Sequence, residues 1–478
     1  MLPAIVYIIV ATYLVVLLAI GLYSARLIKT DIDFMLAGRR LGPILIAGTL
    51  AATEVGGGSS MGVAQKAFTN WGLSAAWYVL TMAIVFVILA FLAPKLRSTM
   101  IATVPEFFNK RYGKANHILT AIVLLLPMIG LTAIQIMASG IVLSILLGID
   151  FKVAVLIMGA VAVFYSVMGG LWSVTLTDLF QWICVVGGII IAVPYGLKVI
   201  GGWDVLKTTL EPWRFSLTAG IGWETIVSLT VMYFASFTVG QEYIQRYFAA
   251  RDDKAARNGS LLAAGTYVIF AWFPALLGLI ALAYVKMGHT IPYIDQYGTR
   301  YVLPGFAAVA LPPVLLGILF AALVSATMSS ADSDLVAGSA IFVNDIYKPY
   351  IRPNATPEEL ARISKIITAI LGIFSIIVAM FKVSVIVDVL MFSFSFRAAG
   401  IFVPYLMSHY WDKGSKVGSF LAILVGSLVV GLEALGWVSF GKWGSVIPGI
   451  ILSFIVFVVF SYLVPDKEPK SFQEVFHT

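Results

Sequence analysis

Two stretches place oxygen-rich and charged side chains inside otherwise apolar sequence. ATEVGGGSSMGVA, residues 52–64, holds Glu54, three consecutive glycines and two serines. An acid at the centre of a membrane helix costs about 3 kcal/mol on insertion scales, so it needs a partner, a proton or a wet cavity. Three glycines each lower helix propensity by about 1 kcal/mol relative to Ala. A helix that unwinds there frees backbone carbonyls for a cation and turns half-helix ends toward the gap. The alternative use of Gly56, Gly57 and Gly58 is close helix packing.

The second stretch is AALVSATMSSADSDLVAGSAIFVNDIY, residues 321–347. Ala326, Ser329, Ser330 and Ser333 follow the i, i+3, i+4, i+7 pattern and share one helical face, with Asp332 beside it. Hydroxyl and carbonyl oxygens are hard ligands suited to Na⁺. The competing reading is serines bonded back to their own helix. A third stretch, YSVMGGLWSVTLTDLFQW, puts a glycine turn at 169–170 and Asp178 and Gln181 one turn apart; a solvated helix end is the plainer reading.

The elements that hold these residues follow from composition. The chain has 478 residues, 60% hydrophobic and only 12% charged, where soluble domains are about a quarter charged. Spans of about 20 apolar residues number about thirteen, centred near Val15, Ala47, Met82, Leu126, Met158, Ile189, Val231, Ala271, Ile318, Ile373, Ser395, Leu424 and Phe454. The fold class expected is an all-α membrane protein. Of the 31 basic residues, 21, Arg246 among them, collect on one face if the N-terminus lies outside and the C-terminus in the cytoplasm. That places the chain in the plasma (inner) membrane and accounts for its net charge of +7 through anionic lipid rather than nucleic acid. No obligate protein partner is evident. The single Cys184 excludes a disulfide framework. No HExxH, CxxC or nucleotide-binding loop is present, which points away from an enzyme.

FMLAGRRLGP after the first span, GGLWSVTLTDLFQ in the middle, GQEYIQRYFAARD after span seven and SATMSSADS in span nine together resemble the sodium/solute symporter family. The resemblance implies a LeuT-like fold with two inverted five-helix repeats whose first helices are broken, one near 56–58 and the other within ASFTVGQ at 235–241. The corresponding units are 1–30 (a first accessory helix), 41–200 (spans two to six), 222–410 (spans seven to eleven), 417–465 (two accessory helices) and 466–478 (a short cytoplasmic tail). It also implies alternating-access symport of Na⁺ with a small organic solute. The family's sodium ligands fall on main-chain oxygens of Ala52, Val55 and Ala326 and the hydroxyls of Ser329 and Ser330. A second cation, Na⁺ or H⁺, falls at Asp178, Ser329, Asp332 and Ser333.

The family's sugar-binding positions carry Ser59, Gly58, Val79 and Gly240 here, which disfavours sugar. Its choline-type aromatic cage is lost at Glu54 and Gly240, although the VGGG and SSADS strings look most like those members. In proline carriers the place of Glu54 is an Asp tied to cation coupling. Arg397, midway along span eleven, is read three ways: an ion pair with Glu54 or Asp388, a snorkelling side chain, or a clamp for a carboxylate. The clamp suggests a carboxylate or zwitterion. Glu54, Gly56, Gly57, Ser59, Ser60, Gln135, Phe237, Thr238, Gln241 and Arg397 are the candidate solute residues. Trp77 and Tyr78 read as lipid-facing or packing aromatics. The alternatives are a proton-coupled carrier using Glu54 or Asp332, and a transporter of an organic cation or amine.

Overall fold

The computed structural model describes residues 2–27, 30–381, 386–467 and 472–476; Lys29, Lys382, Lys470 and part of the expected tail lie outside them. Among the described residues the regular structure is helical. Among the same residues ten helical segments are long and apolar enough to cross a membrane. Of the remaining three expected centres, Ala47 and Met158 fall in the shorter apolar helices Pro43–Glu54 and Phe151–Val167, and Val231 in Gly222–Val239, which has 18 residues but is not among those ten. Large apolar side chains such as Val15, Phe164, Ile183 and Phe454 stay on the outer surface of the bundle.

In chain order the main helices are α1 (Ala4–Ala25), α2 (Pro43–Glu54), α3 (58–71), α4 (Trp77–Ser98), α5 (Val104–Tyr112), α6 (Lys114–Leu147), α7 (Phe151–Val167) and α8 (Gly170–Val199). The second half runs through α9 (Gly222–Val239), α10 (Gln241–Phe248), α11 (Asp253–Lys286), α12 (Pro313–Ile341), α13 (Pro357–Ala379), α14 (Ile386–Met407), α15 (Lys416–Ala434) and α16 (Val446–Leu463). The expected turn between spans five and six is a kink at Gly170, whose φ of 51° is left-handed. The short helix α5 is started by Thr103, whose hydroxyl accepts from the Glu106 amide at 3.2 Å.

Both expected interruptions are present. α2 begins with Pro43 in its first turn, where a missing N–H costs nothing, and leaves helical geometry at Val55 (φ −76°, ψ 55°). α3 restarts with wide turns, the Gly62 amide reaching back five residues to the Gly57 carbonyl at 2.8 Å. α9 ends at Val239, and Gly240 is extended (φ −69°, ψ 118°) before α10 begins. Ser330 of α12, Gln135 of α6, Tyr78 of α4 and Leu390 of α14 stand against Gly56–Gly58, and the break is buried.

Candidate cation and solute site

A helix end leaves its last carbonyls without intrahelical amides, and in a membrane they need another donor. At the end of α2 that donor is α12. The Ser329 hydroxyl donates to the Ala52 carbonyl at 2.8 Å and stands 3.0 Å from the Ala326 carbonyl. The Ser330 hydroxyl donates to the Thr53 carbonyl at 2.7 Å and lies 3.2 Å from the same Ala326 carbonyl. The Ser59 hydroxyl meets the Glu54 carbonyl. Ala52, Ala326, Ser329 and Ser330 are therefore drawn to one point, all buried. Ser330 reaches Thr53 rather than the expected Val55, whose amide bonds Ala51 at 3.0 Å. This all-oxygen set fits a hard monovalent cation. Each hydroxyl can turn its proton away and offer a lone pair where it now donates.

The four residues expected at a second cation lie close by, around a side chain assigned from sequence to the inner surface. Arg246 of α10 is wholly buried rather than at a lipid headgroup. It donates to Ser333 Oγ at 2.6 Å and to Thr49 Oγ1 at 3.2 Å, with Asp178 Oδ2 3.9 Å away. Thr49 in turn donates to Asp178 at 2.5 Å. Asp178 and Gln181 are both fully buried, so the solvated helix end is corrected: α8 packs this turn against α1 and α12. Asp332 is also fully buried, and neither of its carboxylate oxygens receives a hydrogen bond.

On the other side of the break lies a small enclosed cavity, with room for the centre of a water molecule in only about 10 Å³. Glu54, Ser59, Gln135, Ser330, Asp334 and Tyr78 face it. Tyr243 donates to Glu54, and the Gly57 amide donates to Gln135 at 2.8 Å. The other candidate solute residues are turned elsewhere. Ser60 bonds the Gly56 carbonyl at 2.6 Å and Thr238 bonds Phe234 at 2.6 Å. Gln241 straps α10 to the start of α5 through the Val104 amide (3.0 Å) and the Ala102 carbonyl (2.9 Å). Phe237 packs on Tyr243, ring centroids 4.1 Å apart.

Arg397 forms neither expected ion pair. It bonds Ser236 at 2.7 Å and pairs with Glu242 of α10 at 2.5 Å, both charges fully buried. Asp388 is taken by Lys66 at 2.8 Å. Sequence reasoning left Arg246, Glu242, Tyr243 and Asp334 out of the candidate site residues, and it gave Tyr78 a packing role. A signal existed for two of them: Glu242 and Arg246 are four residues apart on an eight-residue helix and share one face.

Residues 34–426 match the Sodium:solute symporter family. The chain is 26% identical over 483 residues to the osmoregulated proline transporter OpuE of Bacillus subtilis (strain 168), covering 96% of this chain and 95% of that one. It is 25% identical over 493 residues to a sodium/proline symporter of Staphylococcus aureus (strain JH9), covering 98% and 94%. Among solved structures it resembles a substrate-bound, outward-open Na⁺-coupled sialic acid symporter, with a TM-score of 0.85 at 21% identity, over 98% of this chain and 100% of that chain. It also resembles MHP1, a nucleobase-cation-symport-1 family transporter, in a closed conformation with bromovinylhydantoin bound. That match has a TM-score of 0.59 at 11% identity over 90% and 94% of the two chains. The fold is the LeuT-like one, and the coupling ion is Na⁺. The chain belongs to the sodium:solute symporter family: it is a multi-pass membrane transporter, not an enzyme, that moves a small organic solute with Na⁺.

Proposed function

We propose that the solute is a small amine or zwitterion whose positive charge lodges between Glu54 and Asp334. The observation that carries this is the unequal placement of charge. Two carboxylates face the enclosed cavity, while Arg397, the residue suited to clamp a carboxylate, is sequestered by Glu242. A buried carboxylate needs a counter-charge, and an ammonium supplies it. Tyr78 adds a ring face that a cation favours. The anionic end of a zwitterion then lies toward the N-terminal end of α3, where the helix dipole is positive. Two of the relatives carry proline, itself a zwitterion with a secondary ammonium.

In this reading Na⁺ takes the oxygens of Ala52, Ala326, Ser329 and Ser330, with Val55 or Thr53 completing the set. It thereby joins α2 to α12 in the outward-facing state. The solute binds on the far side of the broken segment, so each ligand stabilises the backbone the other needs. The membrane potential contributes about 2.3 kcal/mol per charge per 100 mV to Na⁺ entry. The repeats run over 41–200 and 222–410 and rock about the shared site. Thirteen helices cross the plasma membrane among its lipids, with the N-terminus outside and the C-terminus in the cytoplasm; reporter fusions at residue 478 test that orientation.

The solute class is tested in proteoliposomes with an imposed Na⁺ gradient. L-Proline, glycine betaine and L-lactate serve as radiolabelled probes. Na⁺-driven uptake of an amine-bearing probe, lost in Glu54→Gln, supports the reading. Uptake of lactate alone, with Glu54→Gln intact, overturns it. Uptake driven by a pH gradient and indifferent to Na⁺ overturns the cation assignment.

A further inference from the structure

Four wholly buried groups meet beside the sodium ligands: Asp178, Asp332, Ser333 and the guanidinium of Arg246. A guanidinium does not lose its proton in a protein, so this interior holds a fixed positive charge in every state of the cycle. Its ligands are those a second metal ion would use. Ser333 Oγ takes a hydrogen bond from Arg246 Nη2 at 2.6 Å, and Asp178 Oδ2 lies 3.9 Å from the same nitrogen. Thr49 binds both charges, accepting from Arg246 Nε at 3.2 Å and donating to Asp178 at 2.5 Å. Ser333 is further occupied by Thr53 Oγ1 at 3.1 Å. Ser329, the remaining hydroxyl of the expected set, is already committed to Ala52 and Ala326. Asp332 keeps both oxygens unbonded and Asp178 keeps one, its Oδ1; with no free hydroxyl beside them, three carboxylate oxygens are too few to strip the water from a small hard cation.

We propose that Arg246 is a tethered cation that holds the place of a second Na⁺ between Asp178 and Ser333, so that this chain couples one Na⁺ per solute. The planar fork suits the role. One nitrogen reaches α12 and another α2, while the charge balances Asp178 of α8, so three helices are joined around it. A Na⁺ ion makes the same bridges but leaves in each cycle; the arginine stays. Arg246 is thus a positioning and selectivity residue for coupling and touches no solute.

The inference rests on Ser329 and Ser330 holding the coupling Na⁺, and the test separates the two. ²²Na⁺ binding to the purified full-length chain, without solute, counts sites and gives the slope of the Na⁺ titration. Wild type is expected to bind one Na⁺, with the site lost in Ser329→Ala/Ser330→Ala. Arg246→Met opens the second position: two Na⁺ bind, the slope steepens, and adding Asp332→Asn returns the count to one. Arg246→Lys, which keeps a point charge, binds one. Should Arg246→Met fail to fold, Arg246→Gln is counted instead. Two Na⁺ on wild type, or one on both neutral variants, overturns the tethered cation while leaving the first site standing. No Na⁺ on wild type overturns both.

Discussion

The two helix breaks occupy corresponding places in the two halves of the chain and do different work. At the first, the backbone opens: Val55 departs from helical geometry and the carbonyls of Ala52 and Thr53 are released to hydroxyls of another helix. At the second, the backbone closes on itself. The Gly240 amide returns to the Ser236 carbonyl at 2.7 Å, and the Gly240 carbonyl accepts from Ile244 at 3.0 Å, so little main-chain oxygen is left over. What the second break contributes is side chains. Glu242, Tyr243 and Arg246 follow it within two turns and reach Arg397, Glu54 and Ser333 in turn. One break opens main-chain oxygen toward another helix, where the proposed cation binds; the other supplies fixed charges.

The sharpest way to break this contrast is Arg397→Met. Truncating one partner of a buried pair leaves Glu242 uncompensated and costs about 3–5 kcal/mol. The expected outcome is a lowered melting midpoint in detergent. A stable variant that loses only solute uptake would return Arg397 to the role of carboxylate clamp. Next in size, Ser330→Ala removes one of the proposed cation ligands. Hydrogen bonds to charged groups are worth about 1.5–3 kcal/mol, so half-saturation of uptake by Na⁺ should rise about 10- to 100-fold. An unchanged Na⁺ requirement would remove Ser330 from the site.

The paired glycines sharpen the comparison further. A methyl at Gly56 would run into Ser330 Oγ and lie 2.9 Å from the Gln135 amide, whereas one at Gly240 would meet the Tyr243 ring at 2.7 Å and Arg397 at 2.9 Å. Overpacking costs about 1–3 kcal/mol at either place. Gly56→Ala should weaken Na⁺ activation, while Gly240→Ala should lower stability and leave Na⁺ half-saturation where it was. The reverse pattern in paired uptake and melting assays would exchange the roles of the breaks.

The smallest effect lies away from both breaks. His409, just past the end of α14, is stacked on Phe107 at 5.0 Å between centroids, and burial lowers its pKa to about 4. The unfolded chain therefore binds the extra proton first, and stability from this residue is present above the ordinary histidine pKa of about 6.5 and lost as pH falls toward 4. Melting midpoints of wild type should decline over that window more than those of His409→Phe. Parallel curves would show that another group governs the decline.

Much of the geometry at the first break was legible because it is local. Ser329 and Ser330 announce a face through helical period alone, and three glycines next to Glu54 announce an interruption through propensity alone. Arg246 was misplaced because it stands five residues before RDDK, where charge density signals a surface loop; the chain enters that loop only after α10 has buried eight residues. Asp178 had a solvated reading open to it until α1 and α12 closed over its turn. Arg397 could be recognised as an outlier, but not its partner, since Glu54, Asp388 and Glu242 are all acids within an apolar chain and only packing chooses among them.

The amino-acid order by itself determined that this chain lives in a bilayer, where its helices break and which hydroxyls line up, since hydrophobicity, glycine propensity and the 3.6-residue period act within a few turns. Tertiary structure alone decided which buried charge neutralises which. Electrostatic pairing in a medium of low dielectric depends on distances of a few ångströms between helices far apart in sequence, and those distances exist only once the bundle has closed.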